Sequence, residues 1–148
     1  MTEIRDLLKS AFVNFELKAT EKEAAINELS TTFVKKGVVR NDSVYFDAVM
    51  KREEESTTGI GFGIAIPHGK SAAVTESALG FGRSQAGITY DSMDGKPVHL
   101  MFLIAVPEMS NNEHLRILSK LSRKLMHEDV RQKLMAVTDV EEIYQIFE

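Results

Sequence analysis

The pattern of apolar and polar positions divides the chain into a helical opening, a strand-like middle and a helical end. In the opening stretch, Ala25, Ile26, Leu29 and Phe33 recur at helical spacing. Thr20 and Glu23 ahead of them form a capping-box pattern, and Gly37 behind them supplies a stop, so a helix is predicted between these signals. A second helix is predicted from just after Asp42, through Val49, to about Glu55. Six of the nine glycines then fall between Gly59 and Gly82, around the short apolar run Ile64-Ala65-Ile66. This reads as a strand with a glycine-rich approach and an exit at Pro67. Ser77 to Phe81 and Gly87 to Tyr90 read as two further strands. From Val98 to Val106 apolar residues alternate on one face, and the other face (His99, Met101, Leu103, Ala105) is largely apolar too. A strand apolar on both sides belongs in the middle of a sheet covered on both faces. Asn111 or Asn112 can cap a helix whose stripe is His114, Leu118, Leu121 and Leu125. Thr138 and Glu141 form another capping-box pattern before a final helix ending in Ile143, Tyr144, Ile146 and Phe147. Helices and strands do not alternate strictly, so the expected fold is α/β with a mixed sheet sandwiched between helices.

Length and composition narrow this further. The 148 residues suit a single domain spanning 1–148, because two halves would each be small for a self-sufficient core. A net charge of −4 argues against nucleic acid, which demands a basic face. There is no cysteine, which excludes disulfides, thiolate metal sites and cysteine nucleophiles and fits a reducing compartment. The longest apolar run, Leu100 to Pro107, is too short to span a bilayer, and the N-terminus shows no basic region followed by an apolar stretch. The expectation is a soluble, cytoplasmic protein without membrane insertion.

Candidate chemistry centres on Gly59-Ile-Gly61-Phe-Gly63-Ile-Ala-Ile-Pro67-His68-Gly69-Lys70. His68 follows a buried strand and a proline, with a glycine leaving space beside its ring. It is held near the end of a sheet, where α/β proteins commonly bind ligands, although an idle loop histidine fits the same pattern. Two nucleotide motifs fail here. Both the P-loop and the dinucleotide fingerprint require a glycine where Ile64 stands. His114 lies in the first turn of a predicted helix, where free amides favour anions; a core-edge histidine bonded to backbone is the competing reading. Arg52 sits in the charge run Lys51-Arg52-Glu53-Glu54-Glu55, which by itself describes a solvated helix face. His127 reads as a dipole contact near a helix C-terminus, and His99 as structural unless it reaches the sheet end. Four scattered histidines offer no metal-ligand spacing.

Together these segments resemble the fructose/mannitol-type enzyme IIA domains of the phosphoenolpyruvate-dependent sugar phosphotransferase system. The likeness runs through Arg52-Glu53, Ser56-Thr-Thr-Gly-Ile-Gly61, Gly63-Ile-Ala-Ile-Pro-His68, Gly87-Ile-Thr-Tyr-Asp91, Asp94-Gly-Lys-Pro-Val-His-Leu100 and Glu113-His-Leu-Arg-Ile-Leu118. The resemblance implies that His68 is the phosphorylated histidine and attacks through Nε2. It implies that His114 assists by contacting the phosphoryl group, and that Arg52 helps hold it, with no cofactor or metal. It further implies that the carrier protein HPr donates the phosphoryl group and that the cysteine of an enzyme IIB, in a membrane-associated IIBC complex, receives it during uptake of fructose or a related polyol. The nitrogen-related enzyme IIA proteins share fold and histidine and act by binding targets, which makes a regulatory role the alternative. The segments around Gly95 and His114 look more like the sugar branch. Phe62 departs from the family, which often has a small polar residue such as asparagine there; an apolar partner contact or altered access to His68 are the expected consequences.

Overall fold

The computed structural model describes residues 4–148 and has the α/β architecture expected from the pattern. Helices α1 (Ile4–Leu7), α2 (Lys22–Lys35) and α3 (Asp42–Glu55) precede most of the sheet, and α4 (Glu113–Leu125), α5 (Glu128–Ala136) and α6 (Val140–Phe147) follow it. The strands are β1 (Val13–Asn14), β2 (Gly59–Gly61), β3 (Ile64–Ala65), β4 (His68–Ser71), β5 (Ala78–Ile88) and β6 (Val98–Pro107). They form a mixed sheet in the order β1-β5-β6-β3-β2, with β4 also paired to β6. Along β5, a Cβ on Gly80 would press against Phe33 and Leu29 of α2, whereas the neighbouring Phe81 packs on Phe102, which meets Phe147 of α6. Successive strand residues face opposite ways, so α2 and α6 cover opposite faces of the sheet. Strand β6 is buried along nearly its whole length, as its two apolar faces require.

Several boundaries differ from the expectation. Thr20 does not cap α2. Glu21 is extended and bridged to Thr89, and the Thr89 amide bonds the Thr20 carbonyl, so the sheet edge claims the backbone that a cap would need. The expected stop at Gly37 is present: φ is +76°, and the amides of Gly37 and Val38 bond the carbonyls of Val34 and Phe33. This double closure is the Schellman arrangement, which glycine permits without strain. The strands expected at Ser77–Phe81 and Gly87–Tyr90 are one strand, β5. Its register on β6 shifts between Arg83 and Ile88, where the Gly87 amide bonds Ser84 Oγ. Asn112 occupies the N-cap position of α4 in a left-handed conformation with no side-chain capping bond. The cap of α6 falls on Asp139, one residue after the expected Thr138: Asp139 accepts from the Glu142 amide, and the Glu142 carboxylate accepts from Thr138. His127 occupies the N-cap position of α5, and the carbonyls at the end of α4, of Leu125 and the C-cap residue Met126, are held by Arg131 instead.

The largest departure concerns the approach to and exit from Ile64-Ala65-Ile66. Gly59–Gly61 forms β2, antiparallel to β3, and the chain does not leave the sheet after Pro67. Strand β3 pairs in parallel with Leu100 and Met101, Pro67 interrupts, and β4 resumes on the same edge opposite Ile104 to Pro107. His68 is therefore the first residue of a strand and not part of a loop.

Candidate active site

Proline at position 67 lets the chain change direction between β3 and β4 while staying beside β6. The Pro67 carbonyl bonds the Ile104 amide at 3.0 Å, and His68 starts the next pairing opposite Ile104. Its side chain is only 7% exposed. Nδ1 lies 3.0 Å from the Ile66 carbonyl. A carbonyl can only accept, so in the neutral ring Nδ1 carries the hydrogen and Nε2 keeps the lone pair. Burial pushes the imidazole pKa below its ordinary value and outweighs the Ile66 carbonyl, which acts the other way. The nearby positive charge of Arg52 adds to the lowering. The result is a neutral imidazole with a fixed tautomer.

Gly69 explains how Arg52 comes close. A Cβ there would lie 2.8 Å from Val49 Cγ2 and 3.2 Å from the Val49 amide nitrogen, so its absence allows α3 to lie directly on β4. That contact carries the last turn of α3, with Arg52, alongside His68. Arg52 is half-buried, and its Nη1 donates to the Ser56 carbonyl at 2.8 Å. From the other side, α4 brings His114 to His68 with ring centroids 5.9 Å apart and planes inclined by 30°. His114 Nδ1 is buried with no hydrogen-bond partner among the described residues. Its pKa is lowered by burial, then by His68 and Lys70. The first turn of α4 is tied to the start of β5 through Ser77 Oγ, which donates to Glu113 at 3.0 Å.

The fold thus brings His68, His114 and Arg52 together. It does not bring the other two histidines to them. His99 Nδ1 bonds the Ser84 carbonyl at 2.8 Å, near the start of β6, and His127 lies between α4 and α5. Phe62 is also apart from His68. Phe62 and Gly63 form a two-residue turn between the paired Gly61 and Ile64, with both φ values positive (59° and 78°), as in a type I′ hairpin turn that favours asparagine. Its neighbour Ile64 pairs with Leu100 and His68 with Ile104, so the turn sits about 13 Å along the strand from the imidazole. Phe62 is 68% exposed and stacks beneath Arg131, 4.4 Å from the ring centroid.

One group was invisible in the charge run. Glu53 is buried, and its carboxylate accepts from the Thr58 amide and hydroxyl, from Lys22 at 2.8 Å and from the Tyr90 hydroxyl at 3.2 Å. The available signal was spacing: Glu53 extends the buried stripe Tyr45, Val49 along α3.

A neutral, oriented nitrogen nucleophile, a second imidazole stacked on it and a guanidinium beside it suit transfer of an anionic group. Comparison with known proteins points the same way. The family model for the phosphoenolpyruvate-dependent sugar phosphotransferase system, EIIA 2, matches residues 6–148. The chain is 45% identical over 135 residues to the fructose-specific EIIA component of Haloferax volcanii, covering 91% of this chain and 88% of that one. It is 43% identical over 143 residues to the fructose-specific EIIABC component of Bacillus subtilis, covering 97% of this chain but spanning only 22% of that relative's length. Among solved structures, nitrogen regulatory protein IIA-Ntr of Neisseria meningitidis superposes with a TM-score of 0.89 at 32% identity, covering 98% of this chain and 99% of that one. Mannitol enzyme IIA of Escherichia coli, in complex with phosphorylated enzyme IIB, gives a TM-score of 0.79 at 27% identity, covering 95% and 98%.

Proposed function

The chain belongs to the EIIA 2 family of the phosphoenolpyruvate-dependent sugar phosphotransferase system, and we propose that it is a transport carrier using His68 as its phosphoryl acceptor. The observation that carries this reading is the buried His68 imidazole, with Nδ1 committed to the Ile66 carbonyl and its ring stacked on His114. In the forward step, the Nε2 lone pair attacks the phosphorus of phosphohistidine on HPr. The new N–P bond forms as the donor's N–P bond breaks, and the leaving imidazole takes back its electron pair. The hydrogen stays on Nδ1 throughout, donated to the Ile66 carbonyl. Such a loose transition state needs alignment and charge stabilisation more than acid–base work, which suits Arg52 and His114. The thiolate of an enzyme IIB cysteine then attacks the same phosphorus and His68 Nε2 leaves, returning the site to its starting form.

The regulatory alternative draws on the nitrogen branch. Backbone likeness to IIA-Ntr is high, but backbones of one fold serve both branches. Side chains choose partners, and identity is higher to the fructose-specific chains, 45% over 135 residues and 43% over 143, than to nitrogen regulatory proteins, 34% over 143 residues and 40% over a shorter stretch of 104. This favours transport of fructose or a related polyol.

The test is intact mass after incubation with phosphoenolpyruvate, enzyme I and HPr, for wild type beside His68→Ala. One acid-labile phosphoryl group on wild type alone is expected, followed by its transfer to an enzyme IIB. Equal labelling of His68→Ala sinks the assignment, and labelling without any enzyme IIB acceptor supports the regulatory role.

A further inference from the structure

The Glu53 network lies behind the site and has no part in the chemistry described so far. Its geometry converges on Thr58. Glu53 accepts from both the amide and the hydroxyl of Thr58, and the Tyr90 hydroxyl lies 2.9 Å from Thr58 Oγ1. Lys22 donates to Glu53 at 2.8 Å and to Asp91 at 2.7 Å, so both carboxylates are held from the N-terminus of α2. Thr58 and Glu53 are buried, and so is Tyr90.

Thr58 passes this constraint on in two directions. Its carbonyl accepts the Ile66 amide at 3.0 Å, and the carbonyl of that same Ile66 orients His68 Nδ1. On the other side, the Glu53–Thr58 contacts close the turn after α3, and Ser56 in that turn supplies the carbonyl that holds Arg52. One buried side chain therefore backs both groups that would face the phosphoryl group. An unbraced carboxylate would not be tolerated here, because a buried charge without partners is strongly destabilising.

We propose that Glu53 and Thr58 are positioning residues for phosphoryl transfer: Glu53 fixes Thr58, and Thr58 sets both the Ile66 carbonyl that orients His68 and the Ser56 turn that anchors Arg52. This rests on the reading of His68 as the phosphoryl acceptor. Neither residue touches the reacting atoms. Their loss changes the tautomer of His68 and the aim of Arg52, while the exposed surface is untouched, because both side chains are buried.

Thr58→Val keeps the shape and removes the hydroxyl, Thr58→Ser restores the hydroxyl, and Glu53→Gln removes the charge while keeping an oxygen acceptor. Nitrogen-15 NMR of the unphosphorylated protein reads the His68 tautomer, and single-turnover transfer from phospho-HPr reads rate and half-saturation separately. Thr58→Val and Glu53→Gln are expected to populate the Nε2–H tautomer and to lower the limiting rate on the order of tenfold, with half-saturation unchanged. Thr58→Ser is expected to restore both. A lower melting temperature in Thr58→Val and Glu53→Gln, with wild-type tautomer and limiting rate, overturns the proposal. Should either of these two variants fail to fold, the other carries the same readouts. A wild-type protein that takes up no phosphoryl group defeats the carrier reading alone, since the tautomer populations still decide whether Thr58 holds His68.

Discussion

Gly69→Ala tests the contact that assembles the site. Gly69 does not have a positive φ, so alanine is not strained by its backbone, and in open space it would stabilise by about 0.4–1 kcal/mol through the unfolded chain. The surroundings reverse that sign. The new methyl would sit 2.8 Å from Val49 Cγ2, 3.1 Å from Tyr45 Cε1 and 3.2 Å from the Val49 amide nitrogen, against about 3.5–4.0 Å for an optimal contact. Val49 is β-branched, and in a helix its χ1 has one strongly preferred rotamer, so rotation gives little relief. The Tyr45 ring is fully buried, with its hydroxyl donating to the Ile104 carbonyl at 2.8 Å. The amide moves only if α3 moves. Overpacking of this kind costs typically 1–3 kcal/mol, and about 2 kcal/mol is expected here. For a chain of this size that lowers Tm by about 4–8 °C, with the slope of urea unfolding unchanged. Val49→Ala by itself opens a cavity and costs about 2 kcal/mol. Combined with Gly69→Ala it removes the closest of the three contacts, that to Val49 Cγ2, so the double variant should be about 1 kcal/mol more stable than additivity gives. Gly69→Ala within about 0.5 kcal/mol of wild type, or strictly additive costs, would refute the claim that α3 rests on the bare backbone at Gly69.

The other predictions concern charge at the same site. Both His68 and His114 are held below the ordinary pKa of 6.5, mainly by burial, so the unfolded chain binds protons there more readily than the fold does. Stability from these groups is therefore fully present above about pH 6.5 and is lost as pH falls through their folded pKa values. Urea midpoints between pH 7.5 and 5 should fall less steeply in a double His68→Ala, His114→Ala variant, and equal slopes would contradict the neutral pair. For His114→Ala, onward transfer to an enzyme IIB is expected to slow about a hundredfold while Tm changes little. Lower Tm with unchanged transfer would make His114 structural. Arg52→Lys keeps the charge but not the fork that can hold Ser56 and a phosphoryl oxygen together, so single-turnover acceptance from phospho-HPr should fall about tenfold. Wild-type rates would show that charge alone suffices.

How legible this was in the sequence depends on which interaction decides each feature. Strand β6 could be read because burial on both faces leaves its mark on every side chain. Strand β4 could not: His-Gly-Lys-Ser has no strand pattern, and only backbone pairing to an already formed β6 makes it one. The division of β5 into two strands followed Ser84 to Gly87, which resembles a turn locally but is absorbed as a register shift because β6 continues alongside. Helix caps were located within a residue or so, yet Thr20 lost its role to a strand-edge bond that no local pattern announces. At the site, His68, His114 and Arg52 could each be singled out locally, but their meeting in one site and their roles came from the resemblance, since residues so far apart in the chain carry no sign of meeting. Glu53 was missed because three glutamates in a row read as solvent-facing, although its spacing from Tyr45 and Val49 marked it as inward.

Burial at this site does chemical work as well as structural work. A surface histidine near neutral pH is partly protonated, and an imidazolium has no free lone pair with which to attack phosphorus. Placing His68 under 10% exposed, with Nδ1 on a carbonyl, keeps it neutral and leaves the lone pair on one nitrogen only. The same burial would make an arriving anion costly if nothing charged stood near. Arg52 answers that from the half-exposed end of α3, and its guanidinium has donors to spare beyond the one that holds Ser56. A cation at the rim stabilises the phosphoryl group less than a buried one would. For a carrier this matters, because a group bound too firmly would not be passed on. On the proposed reading, the neutral buried nucleophile makes acceptance possible, and the half-buried position of the cation keeps the transfer reversible.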